Sequence, residues 1–188
     1  MSVAYDMQVR HALSLLQELL PNEQWASQDM VDTAGRWCKM MESMSRNGPM
    51  PFDFTTFKNP EHDELVIQRD IQFASLCSHH LLPFLGTAHV AYVPQGTIVG
   101  LSKIPRLVHW LAKGTWTQEG LTQAIANYME EALQPLGVAV VLCNVQHTCM
   151  TIRGIKERGS STTTSAMKGC FADHDRLARA EFLSLLSL

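Results

Sequence analysis

The chain has 188 residues, 46% hydrophobic and 18% charged, with a formal net charge of −3. That length fits a single domain with one ordinary core, and the weak acidity excludes the broadly basic surface of a nucleic-acid-binding protein, so a polyanionic ligand would need a local cluster of cations. No run of about 18 apolar residues occurs and the first ten residues carry Asp6, which argues against membrane insertion and export and for the cytoplasm; five widely spaced cysteines, an odd number, read as free thiols or metal ligands.

Val9, Leu13, Leu16 and Leu20 recur at helical spacing and predict a helix over Asp6–Leu20, stopped by Pro21-Asn22. A second helix is predicted from Gln28 to Met44, with Val31, Ala34, Cys38 and Met41 on one face. After Arg46-Asn47-Gly48-Pro49 a loop with Pro51 and Pro60 leads to an alternating strand over Glu64–Leu76. Val90, Tyr92 and Pro94 close another strand, and Thr97–Leu101 is predicted to pair back on it through a Gln95-Gly96 turn. Helices follow at Lys103–Lys113 and Gln118–Leu133, the latter with Leu121, Ile125, Met129 and Ala132 on one stripe. Val138–Ile152 is rich in β-branched residues, Thr162, Thr164 and Ala166 alternate before Gly169, and a last helix is expected from Asp175. With no internal repeat or long linker, the order reads as one α+β domain over 1–188 with an antiparallel sheet, residues 1–48 supplying N-terminal helices and 49–188 the catalytic part.

Cys77-Ser78-His79-His80 places a thiol and an imidazole three positions apart, so that a tight turn can aim both at one ion. His147 and Cys149 fall in a segment that reads as a strand, where side chains two apart share a face with Cα atoms about 6.7 Å apart. Cys77, His80 and Cys149 would suit zinc and leave a fourth position for water; the spacing alone equally allows two small buried thiols. Ser102 stands where it can cap the helix that begins Lys103-Ile104-Pro105-Arg106, putting two cations and free N–H groups at one helix end, either a phosphate site or a solvated basic edge. Arg153, leaving Cys149, could join them. Thr117 is a good N-cap, so Glu119 either complements the helix dipole or accepts two hydrogen bonds from the N1–H and 2-amino edge of guanine.

These blocks together resemble the GTP cyclohydrolase I family over about residues 30–188. The resemblance is carried in order by Cys77-Ser78-His79-His80-Leu81-Leu82-Pro83-Phe84 with Gly86 and His89, by Gly100-Leu101-Ser102-Lys103 with Arg106, by Gln118-Glu119 with Leu121-Thr122, by His147-Thr148-Cys149-Met150 with Arg153-Gly154, and by Ser160, Thr162, Thr164-Ser165, Gly169 and Phe171. It implies zinc on Cys77, His80 and Cys149, and proton transfer by His79 and His147. It also implies guanine on Gln118 and Glu119, and ribose and triphosphate on Ser102, Lys103, Arg106 and Arg153. Arg36 resembles the family arginine that reaches the triphosphate from a neighbouring subunit, although alanine follows Thr33 where the family usually has proline. The implied fold is the tunnelling fold, an antiparallel sheet with helices on one face, whose subunits form a barrel and commonly a decamer of two pentamers. The implied reaction converts GTP to dihydroneopterin triphosphate and formate, the first step of folate, pterin or deazapurine synthesis.

Two positions depart from the pattern: Ser78 stands where the family usually has glutamate, and Gly120 where it usually has arginine. Two other readings compete. A nitrile reductase of the same fold would use a cysteine nucleophile and a nicotinamide cofactor, which the Cys77, His80 and Cys149 set argues against. A zinc-stabilised GTP or pterin binding module would not need both His79 and His147.

Overall fold

A computed structural model describes residues 3–20, 28–46, 48–58, 61–172 and 177–187. The chain divides into two compact units, Met1–Ser45 and Arg46–Leu188. In the first, α1 (Val3–Leu19) and α2 (Gln28–Ser43) pack together, with Ala12 and Ala34 buried between them and Tyr5 donating to the Gly35 carbonyl at 3.1 Å. The helix stop expected at Pro21-Asn22, the loop positions Asn47 and Pro60, the helix start at Asp175 and the side chain of Val31 lie outside the described residues.

The second unit is built on a five-stranded sheet of order β5-β2-β3-β6-β7, made of β2 (Val66–Cys77), β3 (Pro83–Val93), β5 (Thr115–Trp116), β6 (Gly137–His147) and β7 (Thr162–Gly169). Its four long strands pair antiparallel, and only the two-residue β5 runs parallel to β2. Helices α3 (Lys103–Ala112) and α4 (Gln118–Leu133) cover one face, where Phe73, Phe84, Val90 and Tyr92 meet Leu107, Leu121, Ile125 and Met129. The opposite face carries a smaller cluster, in which Ala91, Ala139 and Val141 pack with Phe171 and with Phe182 of α6 (Leu177–Leu186). The C-terminal helix therefore adds to the face that α3 and α4 leave open.

The hairpin expected through Gln95-Gly96 does not form. Thr97–Val99 (β4) pairs instead with Thr56–Lys58 (β1), in the segment expected as loop, and forms a separate two-stranded sheet. Gly96, at φ +73°, lets the chain leave the main sheet, and the Val99 N–H then donates to the Tyr92 hydroxyl at 3.1 Å, so β4 is held to β3 by a side chain.

The β6–β7 ladder opens at Gly137 opposite Gly169, and there is no room there for a side chain. Gly169 has φ +56°, and a Cβ on it would lie 2.1 Å from the Leu136 carbonyl oxygen. Gly169→Ala is expected to cost at least about 2–3 kcal/mol, read as a clear fall in the thermal midpoint at fixed protein concentration. An unchanged midpoint would show that this ladder end can relax.

Candidate active site

The Cys77-x-x-His80 segment forms the tip of the β2–β3 hairpin. Cys77 N–H donates to the Leu82 carbonyl at 2.8 Å and Leu81 N–H to the Cys77 carbonyl at 2.8 Å, with Leu81 at φ +53°. Cys77 faces α3 and α4 because β2 carries an extra residue. The β2–β3 register shifts by one between Gln68 and Ile71, at Asp70 with φ +61°, so Val66 and then Ile71, Phe73 and Cys77 share the core face. Strand β6 does the same: the register shifts between Leu142 and Val145, at Asn144 with φ +52°, and this turns Val145 and His147 to the side of Leu142. His89, on β3 between the two bulges, braces both. Its Nδ1 accepts from the Asp70 N–H at 3.2 Å, and its Nε2 lies 3.2 Å from Cys143 Sγ, beside Asn144. Burial holds the His89 ring below its ordinary pKa, against Asp70 and with Arg69, which favours the neutral ring that this acceptor role requires.

The strand expected through Cys149 ends at His147. Thr148–Ile152 is a short helix, α5, anchored by the Thr148 hydroxyl donating to the Pro83 carbonyl at 2.6 Å. The turn from strand into helix, and not the alternation of a strand, carries Cys149 to the hairpin tip. There the ligand atoms of Cys77, His80 and Cys149 all lie within 4.8 Å of one another. Cys77 Sγ is 3.7 Å from Nδ1 of His80 and equally 3.7 Å from Nδ1 of His79. Loss of hydration, then Arg153, then His79, hold His80 below its ordinary pKa and favour the neutral form a metal needs. Burial and the neighbouring Cys77 push the Cys149 thiol up, so two adjacent thiols resist ionising together unless a cation compensates them.

Strand β5 brings the start of α4 to the same place: Trp116 pairs with Cys77, and Ser78 N–H donates to the Trp116 carbonyl at 2.9 Å. Thr117 caps α4 as expected, accepting from Gly120 N–H at 3.1 Å. A Cβ on Gly120 would stand 3.0 Å from that Thr117 hydroxyl and 3.4 Å from the Trp116 ring. The glycine, costing about 1 kcal/mol relative to alanine in a helix, is explained by this close seat. Gln118 is buried. Its Nε2 donates to the Thr162 carbonyl and to Thr164 Oγ1, and its Oε1 lies 2.9 Å from Nε2 of His147. The His147 ring stacks on Phe84 with centroids 4.9 Å apart and planes 12° from parallel. Burial pushes the His147 pKa down, against the upward pull of Glu119. A cavity of about 220 Å³ opens here, lined by Cys77, His79, His80, Glu119, His147 and Cys149 among others.

Of the residues singled out in the sequence, the fold thus gathers Cys77, His79, His80, Gln118, Glu119, His147 and Cys149 at one cavity, and Arg153 reaches it through a contact of its guanidinium with Nε2 of His80. Ser102, Lys103 and Arg106 are not in that cavity wall. They stand at the start of α3, beside β4, whereas the end of α3 leads directly into β5 and the site; a ten-residue helix separates the two by roughly 15 Å. Ser102 occupies the N-cap position of α3 as expected, but its hydroxyl makes no hydrogen bond to the helix end. Arg36 belongs to the other unit, where it donates to Thr33 Oγ1 at 2.8 Å and lines a cleft with Arg10 and Lys39. Trp116 is a wall residue that sequence reasoning passed over. It directly precedes the Thr117 cap, and its ring is held by an Nε1–H bond to the Leu111 carbonyl at 2.7 Å and by the Arg46 guanidinium 5.6 Å from the ring centre.

Comparison with known proteins gives the same direction. A family model described as GTP cyclohydrolase I matches residues 9–187. GTP cyclohydrolase 1 of Geobacillus kaustophilus is 43% identical over 183 residues, 95% of each chain. GTP cyclohydrolase 1 of Thermoanaerobacter pseudethanolicus is 52% identical over 132 residues, 70% of this chain and 69% of the relative. A solved structure of the archaeosine synthase QueF-Like in the apo form aligns with a TM-score of 0.46 and 17% identity over 56% of this chain and 93% of its own. A match that runs through nearly the whole length, and includes every residue gathered at the cavity, means that the chain belongs to the GTP cyclohydrolase I family.

Proposed function

We propose that this chain converts GTP into 7,8-dihydroneopterin triphosphate and releases C8 as formate, with a zinc ion on Cys77, His80 and Cys149. The observation that carries this reading is the convergence of the three ligand atoms, all within 4.8 Å of one another, on a cavity shared with His147 and Glu119, in a chain of this family. The donor set fits zinc. Tetrahedral Zn–S and Zn–N bonds of about 2.3 and 2.0 Å place ligand atoms roughly 3.5–3.8 Å apart, and Cys77 Sγ stands 3.7 Å from His80 Nδ1. Bound zinc supplies Lewis-acid activation of water at neutral pH.

The chain's own residues do the rest. Glu119 accepts the N1–H and 2-amino group of guanine, with Gln118 beside it, and His147 supplies a proton at the imidazole nitrogen as water adds to C8. A second hydration releases formate. His79, with Ser102, assists ribose opening, after which rearrangement and ring closure with loss of water give the product. Lys103, Arg106 and Arg153 hold the ribose and triphosphate, and Arg36 comes from a neighbouring copy. The separation of Ser102, Lys103 and Arg106 from the cavity within one chain supports a site completed between copies of a homo-oligomer, in the family manner a decamer.

The test is a formate-release assay with GTP and the zinc-loaded protein; binding of GTP without formate would leave a binding module. Glu119→Gln is expected to lower kcat/KM by roughly 10²-fold, the worth of two charge-assisted hydrogen bonds. Turnover of GTP at the parental rate would reduce Glu119 to a residue that complements the helix dipole.

A further inference from the structure

The hydrogen bonds around Gln118 have determinable directions. Its Nε2 is 3.3 Å from the Thr162 carbonyl oxygen and 3.0 Å from Thr164 Oγ1. A carbonyl only accepts, so the amide is turned with its NH₂ toward β7 and both N–H bonds are committed there. The Thr122 hydroxyl donates to the Gln118 main-chain carbonyl at 2.7 Å, so Thr164 Oγ1, 2.7 Å away, donates to Thr122 and receives the Gln118 N–H. Each donor in this loop has one acceptor, and none can reverse without leaving a buried group unpaired. Gln118 Oε1 is thereby left facing His147 Nε2 at 2.9 Å. An amide oxygen only accepts, so that nitrogen carries a proton. Nδ1 of His147 has no hydrogen-bond partner among the described residues. Phe84 sets the plane of the ring, and Gln118 sets its rotation within that plane.

We propose that Gln118 is a positioning residue for His147: through Thr162, Thr164 and Thr122 its amide pins Nε2–H, leaving Nδ1 as the nitrogen presented to the purine. Gln118 has no N–H left for a base, so it does not act as a guanine ligand through its donors. Nδ1, bare at rest, takes up a proton from the water that adds to C8 and passes it to the imidazole nitrogen of the purine, while the Nε2 proton stays with Gln118. This rests on the GTP cyclohydrolase reading above.

In zinc-loaded full-length enzyme, Gln118→Ala is expected to lower kcat for formate release by about 10²-fold while KM for GTP and zinc content stay near the parental values. Thr164→Val should act in the same direction, and Thr164→Ser, which keeps the hydroxyl, should restore most of the loss. The ¹⁵N spectrum of His147, identified by its absence in His147→Ala, should show a protonated Nε2 and a bare Nδ1 in the parent and lose that pattern in Gln118→Ala. A rise in KM with kcat unchanged would overturn the proposal in favour of base binding. Failure of serine to rescue, or an unaltered ¹⁵N pattern in Gln118→Ala, would overturn it in favour of a structural role. A parent enzyme that releases no formate would overturn the functional reading instead, and the ¹⁵N measurement would still decide whether Gln118 orients the ring.

Discussion

Cys149→Ser is expected to lose zinc and formate release together, whereas His147→Ala should keep its zinc and lose roughly 10²- to 10⁴-fold in turnover. The two residues lie two positions apart, yet the fold uses them differently. Cys149 is on α5, turned to the hairpin tip within 4.8 Å of the Cys77 and His80 ligand atoms. His147 ends β6 with one face on Phe84 and its Nε2 on Gln118. A serine hydroxyl is not ionised at neutral pH and is a poor replacement for a thiolate on zinc, so removing Cys149 leaves too few strong ligands. Removing the His147 ring takes away the proposed proton carrier and leaves Cys77, His80 and Cys149 in place. Metal analysis of both purified variants, alongside the formate assay, reads the difference. Equal zinc loss in the two would make His147 a ligand and undo the division of roles.

Mixed oligomers of two inactive variants should regain activity if the site is shared. Lys103 and Arg106 sit at the start of α3, one helix length from the cavity that the end of α3 leads into, and Arg36 belongs to a different compact unit. Combining Arg36→Ala with His147→Ala, or Arg106→Ala with His147→Ala, leaves some interfaces with both needed residues intact. For a heterologous interface assembled at random from equal amounts, about a quarter of the sites are complete. Activity near that fraction, appearing only after subunit exchange, supports a shared site. No recovery after exchange is verified by mass would place these arginines in their own chain's site or outside any site. The experiment also separates two meanings of the basic edge on α3, since a merely solvated edge would leave Arg106→Ala active on its own.

Much of this protein is legible in its sequence. The apolar stripe Leu121, Ile125, Met129 marks α4, and the Thr117 cap marks its first turn, because helix periodicity and capping are local properties of the chain. The residue types at Cys77, His80 and Cys149 and the basic residues around Ser102 are equally local, and as types they allow a metal site and an anion site without requiring either. What brings Cys77, His80 and Cys149 to one cavity with His147 is not local. Two added residues, at Asp70 and near Asn144, reverse which side of β2 and β6 faces the helices, and without them Cys77 and His147 would point away from α4. An alternating pattern cannot announce such a bulge, since its cause is the register of the neighbouring strand and the bracing by His89. The β-branched run Val138–Ile152 likewise conceals the turn into α5, because Thr148 is anchored by a carbonyl of β3, 65 positions away. The direction of the Gln118 amide, and with it the nitrogen that His147 offers, is decided only where β7 closes over α4, since an amide has no preferred orientation until a carbonyl such as that of Thr162 accepts from one of its ends.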